Sequence, residues 1–175
     1  TEIYTLSLHD ALPIWQRAVK YGKDLIAEDA KVYVVDDAEL QRVYESYPVI
    51  WKKKDAKPKL CFMGCPHMSL QQLIDWTEKV SQSLKEAGRA RVCIPTVFTA
   101  APAVLKKFQE TPYAETLKAT GVITSYICPL MYMNNPLSEK MPVITSSNKL
   151  RTYTSARYYT DAEILEQITK GGADK

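Results

Sequence analysis

Two of the four cysteines lie where a thiol could do chemistry. Cys65 belongs to the segment Gly-Cys-Pro-His at 64–67, and Cys128 stands directly before a proline. Glycine and proline beside a cysteine leave the thiol accessible to backbone N–H groups and solvent, which favours a lowered thiol pKa and metal binding. Cys61 and Cys93 lie inside apolar runs, so we expect them to fill the core. For Cys65 and Cys128, the spacing alone leaves both metal binding and packing open. The sequence contains no pair of C-x2-C motifs, so a zinc ribbon is not expected.

The other candidate side chains are a histidine and a hydroxyl-rich segment. His67 is the only histidine outside residues 1–14, and it could be a base, a ligand or a hydrogen-bonded structural residue. The segment Thr145–Lys149 reads Thr-Ser-Ser-Asn-Lys. Its hydroxyl groups and the Lys149 ammonium could form a cradle for an oxyanion or a phosphate. Serine and asparagine are also typical of ordinary turns, so that alternative stays open.

Alternating strands and helices position these groups. Short apolar runs predict five strands, at 32–35, 60–63, 91–94, 122–127 and 142–145. Helical spacing and capping residues predict helices after Asp36 and after Ser69, at 102–109 and 113–119, and after Thr160. This alternation predicts an α/β fold with a mostly parallel sheet and flanking helices, a Rossmann-like unit.

The carboxyl ends of the predicted strands carry the chemically interesting residues. Ligands of open parallel sheets bind beyond these ends. Cys65 and His67 follow the second predicted strand, Cys128 follows the fourth and Ser147 follows the fifth. We therefore expect two thiols, an imidazole, four hydroxyl groups and a lysine to share one rim, with Ser146, Ser147 and Lys149 among them. Two cysteines cannot complete an iron–sulfur centre unaided, because such centres usually take three or four cysteine ligands.

The composition excludes several classes of protein. Of the 175 residues, 46% are hydrophobic and 25% are charged, which excludes a disordered chain and fits one domain or a large piece of a bigger one. Four cysteines are too few for a disulfide scaffold, so we expect a reducing, cytoplasmic setting. No apolar run reaches the roughly 18 residues that span a bilayer. The only tight basic run, Lys52–Lys54, is expected to be a solvated loop, so neither membrane nor nucleic acid is expected as a partner.

Three segments together resemble the aconitase X family. Phe62–Leu70 reads F-M-G-C-P-H-M-S-L and resembles the family's G-C-P-H-x-S motif. Cys128 resembles its second cysteine, and Val143–Lys149, which reads V-I-T-S-S-N-K, resembles its T-N-S-x-K segment. Upstream, Val34–Glu45 is similar to its acidic strand-to-helix junction. The order and approximate spacing of these segments agree with the family, and the similarity covers roughly residues 30–171.

The amino-terminal residues are a separate case. Thr1–Ile14 reads TEIYTLSLHDALPI and resembles one reading frame of a widely used sequencing adapter. We therefore expect it to be a cloning or assembly scar, and we set aside His9 and Asp10, which otherwise look like a catalytic pair. Residues 15–175 are then expected to be the C-terminal part of an aconitase X-like catalytic domain that also has an upstream segment.

The resemblance implies a hydro-lyase, because members of the family are iron–sulfur dehydratases. They include cis-3-hydroxy-L-proline dehydratases and phosphomevalonate dehydratases, so the implied substrate is a small hydroxy acid. The implied cofactor is an iron–sulfur cluster with a third cysteine ligand from the upstream segment, and the implied partner is a small swivelling domain or subunit of the same enzyme. The implied metal ligands are Cys65 and Cys128. The implied catalytic residues are Ser147 and Lys149. The implied substrate-binding residues are Thr145, Ser146 and His67.

The chain departs from the family at two places. Tyr126 and Ile127 replace the usual Asp-Thr before the second cysteine, and Ser146 replaces the usual asparagine. Two other functions fit the residues as well. One is a non-catalytic Rossmann-like module that binds an anion at Ser146–Lys149, and the other is a structural subunit that pairs with a partner. The sequence contains no G-x-G-x-x-G motif, which argues against a binding module for dinucleotides.

Overall fold

The computed structural model describes residues 19–133 and 135–171. The chain divides into two compact units, Thr1–Ser46 and Tyr47–Lys175. The proposed scar at 1–14 lies outside the described residues. The candidate site residues all belong to the second unit.

The first unit contains a 3-10 helix, Gly22–Leu25, and an α-helix, Asp37–Glu45, which is α1. Asp36 begins α1 because its carboxylate accepts a hydrogen bond from the Glu39 N–H at 2.8 Å. The strand predicted at 32–35 is wrong: these residues form no strand, and their four side chains are exposed. β-branched and aromatic residues favour a strand only where a neighbouring strand and a buried face are available.

The second unit is built around a five-stranded sheet with order β3-β2-β1-β4-β5. The strands are Leu60–Met68 (β1), Thr96–Ala100 (β2), Ile123–Ser125 (β3), Val143–Thr145 (β4) and Arg157–Tyr158 (β5). Every pairing in the sheet is parallel. The predicted α/β fold with a parallel sheet and flanking helices is therefore confirmed.

The helices of the second unit follow the strands, as the alternation predicted. They are Leu70–Glu86 (α2), Pro102–Gln109 (α3), Pro112–Ala119 (α4), Pro129–Met133 (α5), Asn148–Tyr153 (α6) and Asp161–Lys170 (α7). Ser69 and Thr160 begin α2 and α7 with complete capping boxes. Within the described residues, no helix is both long enough and apolar enough to cross a membrane.

Two strand predictions are wrong in position. Residues 91–94 form a loop, and the strand begins at Thr96, beyond the proline that was expected to end it. The loop forms because its backbone is bonded elsewhere: the Val92 N–H donates to the Thr120 carbonyl and the Cys93 N–H to the Ile168 carbonyl. The segment 64–67 does not break β1 but continues it through an irregular register.

Side chains of the sheet alternate between two apolar clusters, one on each face. The larger cluster, here called the main core, includes Cys61, Phe98 and Ile144 from the sheet and buried residues of α2, α3, α4 and α7. The smaller one, here called the minor core, is formed by Phe62, Cys65, Met133, Val143, Leu150 and Ala156. Such two-sided burial is typical of parallel sheets.

Candidate functional site

A cleft of about 190 Å³ lies where β1 and β4 end and where α2, α6 and α7 begin. Its polar lining consists of Cys65, His67, Gln72, Ser146, Ser147 and Asp161. Four of these six, Cys65, His67, Ser146 and Ser147, are residues that the sequence predicted for one rim. The cleft is therefore the candidate site of the second unit, in the position expected for an open parallel sheet.

Gly64 bends β1 at the edge of the cleft. Its φ of +100° belongs to a backbone region that side chains rarely adopt, and a Cβ atom there would lie 2.2 Å from the Thr99 carbonyl oxygen. The Thr99 hydroxyl donates to the Gly64 carbonyl at 2.7 Å. Because β1 approaches β2 so closely, only glycine fits at this position of the Gly-Cys-Pro-His segment.

Cys65 lies just after this bend and is 8% exposed. It belongs to the minor core, which also contains Met133 of α5 and against which Leu130 packs. The Cys65–Pro66 peptide bond is cis. Cys61, in contrast, is fully buried in the main core, and burial raises the pKa of its thiol far above the ordinary value because the low-polarity surroundings disfavour a thiolate.

Ser147 ties β4, α6 and Cys65 together. Its hydroxyl caps α6 by accepting the Leu150 N–H at 3.0 Å and donates to the Cys65 carbonyl. The Ser147 N–H donates to the Thr145 hydroxyl at 3.1 Å. Thr145 is fully buried, so it holds Ser147 in place from behind and does not line the cleft.

The other polar side chains of the cleft are more open. Ser146 is half-buried, and its hydroxyl lies 3.5 Å from the Met63 sulfur. His67 and Asp161 are exposed, and within the described residues neither has a hydrogen bond or an ion pair. Asp161 lies near Tyr158, whose pKa is raised mainly by burial and then by the nearby Tyr47, Asp161 and Glu163. The imidazole and the Asp161 carboxylate are thus available to a ligand.

Besides Thr145, two predicted site residues do not line the cleft. Lys149 is exposed as the second residue of α6. Cys128 is half-buried directly before α5, and its carbonyl accepts the Met131 N–H at 2.9 Å. Cys128 is nevertheless tied to β1, because the Tyr132 ring of α5 stacks on Phe62 with ring centroids 5.2 Å apart. The two cysteines therefore belong to elements that pack together.

The donor set does not by itself fit a metal cluster. Within the part of the chain that the structure describes, no group of three or more Cys, His, Asp or Glu side chains could hold a metal ion. Two thiols are fewer than the three or four that iron–sulfur centres usually take. Any cluster at Cys65 and Cys128 therefore needs a further ligand from outside the described residues.

Sequence reasoning missed two polar residues of the cleft, Gln72 and Asp161. Both lie in the first turn of a helix, α2 and α7 respectively. The signal was present, because the capping patterns at Ser69 and Thr160 mark these helix starts. Helices that follow parallel strands begin at the same edge where the strands end, so first-turn residues line the same cleft.

The comparisons with known proteins agree with this architecture. No protein-family profile matches the chain, and no curated protein matches it either. Among solved structures, the chain is similar to the crystal structure of Thermococcus kodakaraensis aconitase X in its holo form, with a TM-score of 0.61 and 21% identity. The match covers 83% of this chain and 36% of that one. The chain therefore has an aconitase X-like fold and spans about a third of that protein's length.

Proposed function

We propose that residues 15–175 are the C-terminal part of the catalytic domain of an aconitase X-like hydro-lyase. The observation that carries the proposal is the cleft, in which the Gly-Cys-Pro-His segment meets the Ser146–Ser147 pair within an aconitase X-like fold. The reaction proposed is the loss of water from a small hydroxy acid, such as cis-3-hydroxy-L-proline or phosphomevalonate.

Ser147 is the proposed base. Loss of water requires a group that takes a carbon-bound proton while the electron pair of that bond forms a double bond and hydroxide leaves. A serine hydroxyl is a weak base until it is ionised. The Leu150 N–H, which already points at the Ser147 oxygen from the first turn of α6, would stabilise the ionised form. The Cys65 carbonyl keeps the hydroxyl oriented before it ionises.

The remaining roles are divided by position. Ser146 and His67 line the cleft, so they are proposed to hydrogen-bond the substrate. Thr145 is proposed to act through Ser147, whose N–H its buried hydroxyl accepts. Lys149 is proposed to contribute positive charge near the start of α6, where it would favour an ionised Ser147.

Cys65 and Cys128 are the proposed ligands of an iron–sulfur cluster. The third ligand has to come from outside the described residues, for which an upstream segment of the same enzyme is the proposed source. When bound, an open iron site supplies a Lewis acid for the departing hydroxyl group. The small swivelling domain or subunit remains part of the proposal, as does a cytoplasmic location.

Turnover tests the proposal in a longer protein that contains residues 15–175 and the remaining length of an aconitase X-like chain. The wild type should convert one of the two named hydroxy acids, and Ser147→Ala should lower turnover by a factor of about 10² to 10⁴. Thr160→Ala is the matched control, because it also removes a hydroxyl that caps a helix, α7, and Thr160 does not line the cleft. Full turnover in Ser147→Ala would show that Ser147 is not the base, whereas no turnover of either acid by the wild type would favour the non-catalytic module.

A further inference from the structure

The two edges of the sheet differ in how they are covered. Beside β5, the chain contacts its own residues 51–54: the Trp51 indole N–H donates to the Ser155 carbonyl at 2.8 Å, and the Arg157 guanidinium donates to the Lys54 carbonyl at 3.2 Å. At the opposite edge, no strand among the described residues pairs with the outer side of β3. Residues of the chain therefore lie beside β5, whereas the outer side of β3 presents backbone groups without a paired strand.

Apolar side chains are exposed at and just beyond β3. Ile123 is 56% exposed, and Tyr126 and Ile127, which follow the strand, are 63% and 39% exposed. Strands of parallel sheets are normally covered on both faces, so such exposure is unusual for this fold class. Grouped exposed apolar residues mark surfaces that contact another part of a protein.

A groove of about 580 Å³ runs beside this edge, between β3 and the helices α3 and α4. Phe108, Ala114, Val122 and Ile123 supply its apolar lining. Glu115 and Lys118, which also line it, form an exposed ion pair at 3.7 Å. An apolar floor with a charged rim is the usual anatomy of an interaction surface.

We propose that the outer edge of β3 and this groove, here called the β3 surface, dock a further strand and helix from the rest of an aconitase X-like chain. The chain spans 36% of the length of the Thermococcus protein, so most of such a fold lies outside it. The new strand pairs with the open backbone of β3, and apolar side chains of the new unit fill the groove. This inference rests on the proposed function for the identity of the partner.

The β3 surface also bears on Cys128. Ile127 precedes Cys128 directly, and the Ile127 N–H donates to the hydroxyl of Ser125, the last residue of β3, at 3.1 Å. A unit docked on β3 would therefore approach the half-buried Cys128. The docked unit is thus a suitable source for the further ligand that the two cysteines need.

Amide hydrogen exchange tests the β3 surface without any catalytic readout. In the 175-residue chain, the amides of Ile123–Ser125 that do not bond β2 should exchange rapidly. In the longer protein, the same amides should exchange at least about tenfold more slowly, while those of β1 change little. Equal exchange in both proteins would overturn the proposal. Slow exchange in the 175-residue chain that depends on its concentration would also overturn it, because the occupant would then be a second copy.

A pair of variants sharpens this test. Ile123→Lys should restore rapid exchange of the outward-facing β3 amides in the longer protein, because the lysine places a charge in the docked interface. Tyr153→Lys, which alters a 69% exposed side chain on α6, should leave these amides protected. Protection that survives Ile123→Lys would contradict the docking geometry. If the longer protein protects β3 but dehydrates neither hydroxy acid, the proposed interface stands and the proposed function is wrong.

Discussion

The two faces of the sheet are covered unequally. Four helices, including the 17-residue α2, bury the main core. Two short helices, α5 with 5 residues and α6 with 6, cover the minor core. Both predicted cysteine ligands and Ser147 lie on or beside the thinner face. The comparison indicates that the main core stabilises the unit, while the minor core positions the site.

Gly64→Ala should have the largest effect, because it disturbs the β1–β2 contact on which both faces depend. The added Cβ would lie 2.2 Å from a backbone oxygen, at a φ of +100°. We expect a loss of about 5 kcal/mol in the free energy of unfolding, from overpacking and backbone strain together. Urea denaturation measures it.

Gly88→Ala is the control for backbone strain alone. Gly88 has a φ of +64°, and a Cβ there would meet nothing within 4 Å. Its loss should be about 1 to 2 kcal/mol. Similar losses for both variants would show that the close approach to Thr99 does not constrain β1.

Equivalent substitutions in the main core and the minor core compare how much each cluster contributes to the free energy of unfolding. Leu73 lies in the main core and Leu150 in the minor core, and both are fully buried. Leu73→Ala should cost about 4 kcal/mol and Leu150→Ala about 3 kcal/mol, since the thinner cover of Leu150 can collapse further into the cavity. Chemical denaturation of both variants checks this, and a larger loss for Leu150→Ala would reverse our assignment of the two faces.

The stability of the main core should also depend on pH through Cys61. Burial raises the pKa of this thiol in the folded state. Below the thiol pKa of the unfolded chain, about 8.5, the contribution of Cys61 to the free energy of unfolding is therefore complete. As the pH rises above this value, the free energy of unfolding falls by about 1.4 kcal/mol per pH unit, because only the unfolded chain releases the proton. Denaturation from about pH 7 to about pH 10 should show a shallower decline for Cys61→Ala than for the wild type. Parallel curves would contradict this coupling.

The cap at the minor core should have a smaller effect on stability than either leucine. Ser147→Ala removes the hydrogen bond to the Leu150 N–H and leaves the Cys65 carbonyl without its donor. The loss should be about 1 to 2 kcal/mol. Thermal denaturation measures it, and Thr160→Ala, at about 1 kcal/mol, is the matched cap. A loss of the size expected for Leu150→Ala would mean that Ser147 is chiefly structural.

The sequence predicted the parts of the fold that carry a strong local signal. The helix at Pro102–Gln109 has the predicted bounds, because proline at its start and apolar spacing agree. The strand at 91–94 could not be placed correctly, because its backbone bonds run to Thr120 and Ile168, far away in sequence. α5, α6 and β5 were missed because elements of two to six residues contain too few residues to show a period.

The site was predicted in the same uneven way. Cys65, His67, Ser146 and Ser147 reach the cleft because strand ends meet at one edge of a parallel sheet. Thr145 is buried because β4 lies between β1 and β5. The spacing of residues along the sequence does not reveal this order of strands. The roles proposed for these residues, and for Cys128 and Lys149, stay predictions.

The central claim is that Cys65 and Cys128 act together as thiolate ligands in an aconitase X-like hydro-lyase. Anaerobic reconstitution of the longer protein with iron and sulfide tests it most directly. The wild type and the control Cys93→Ala should both gain thiolate-to-iron charge-transfer absorption, and Cys65→Ala and Cys128→Ala should both lose it. Full absorption in either of the last two variants would contradict the claim.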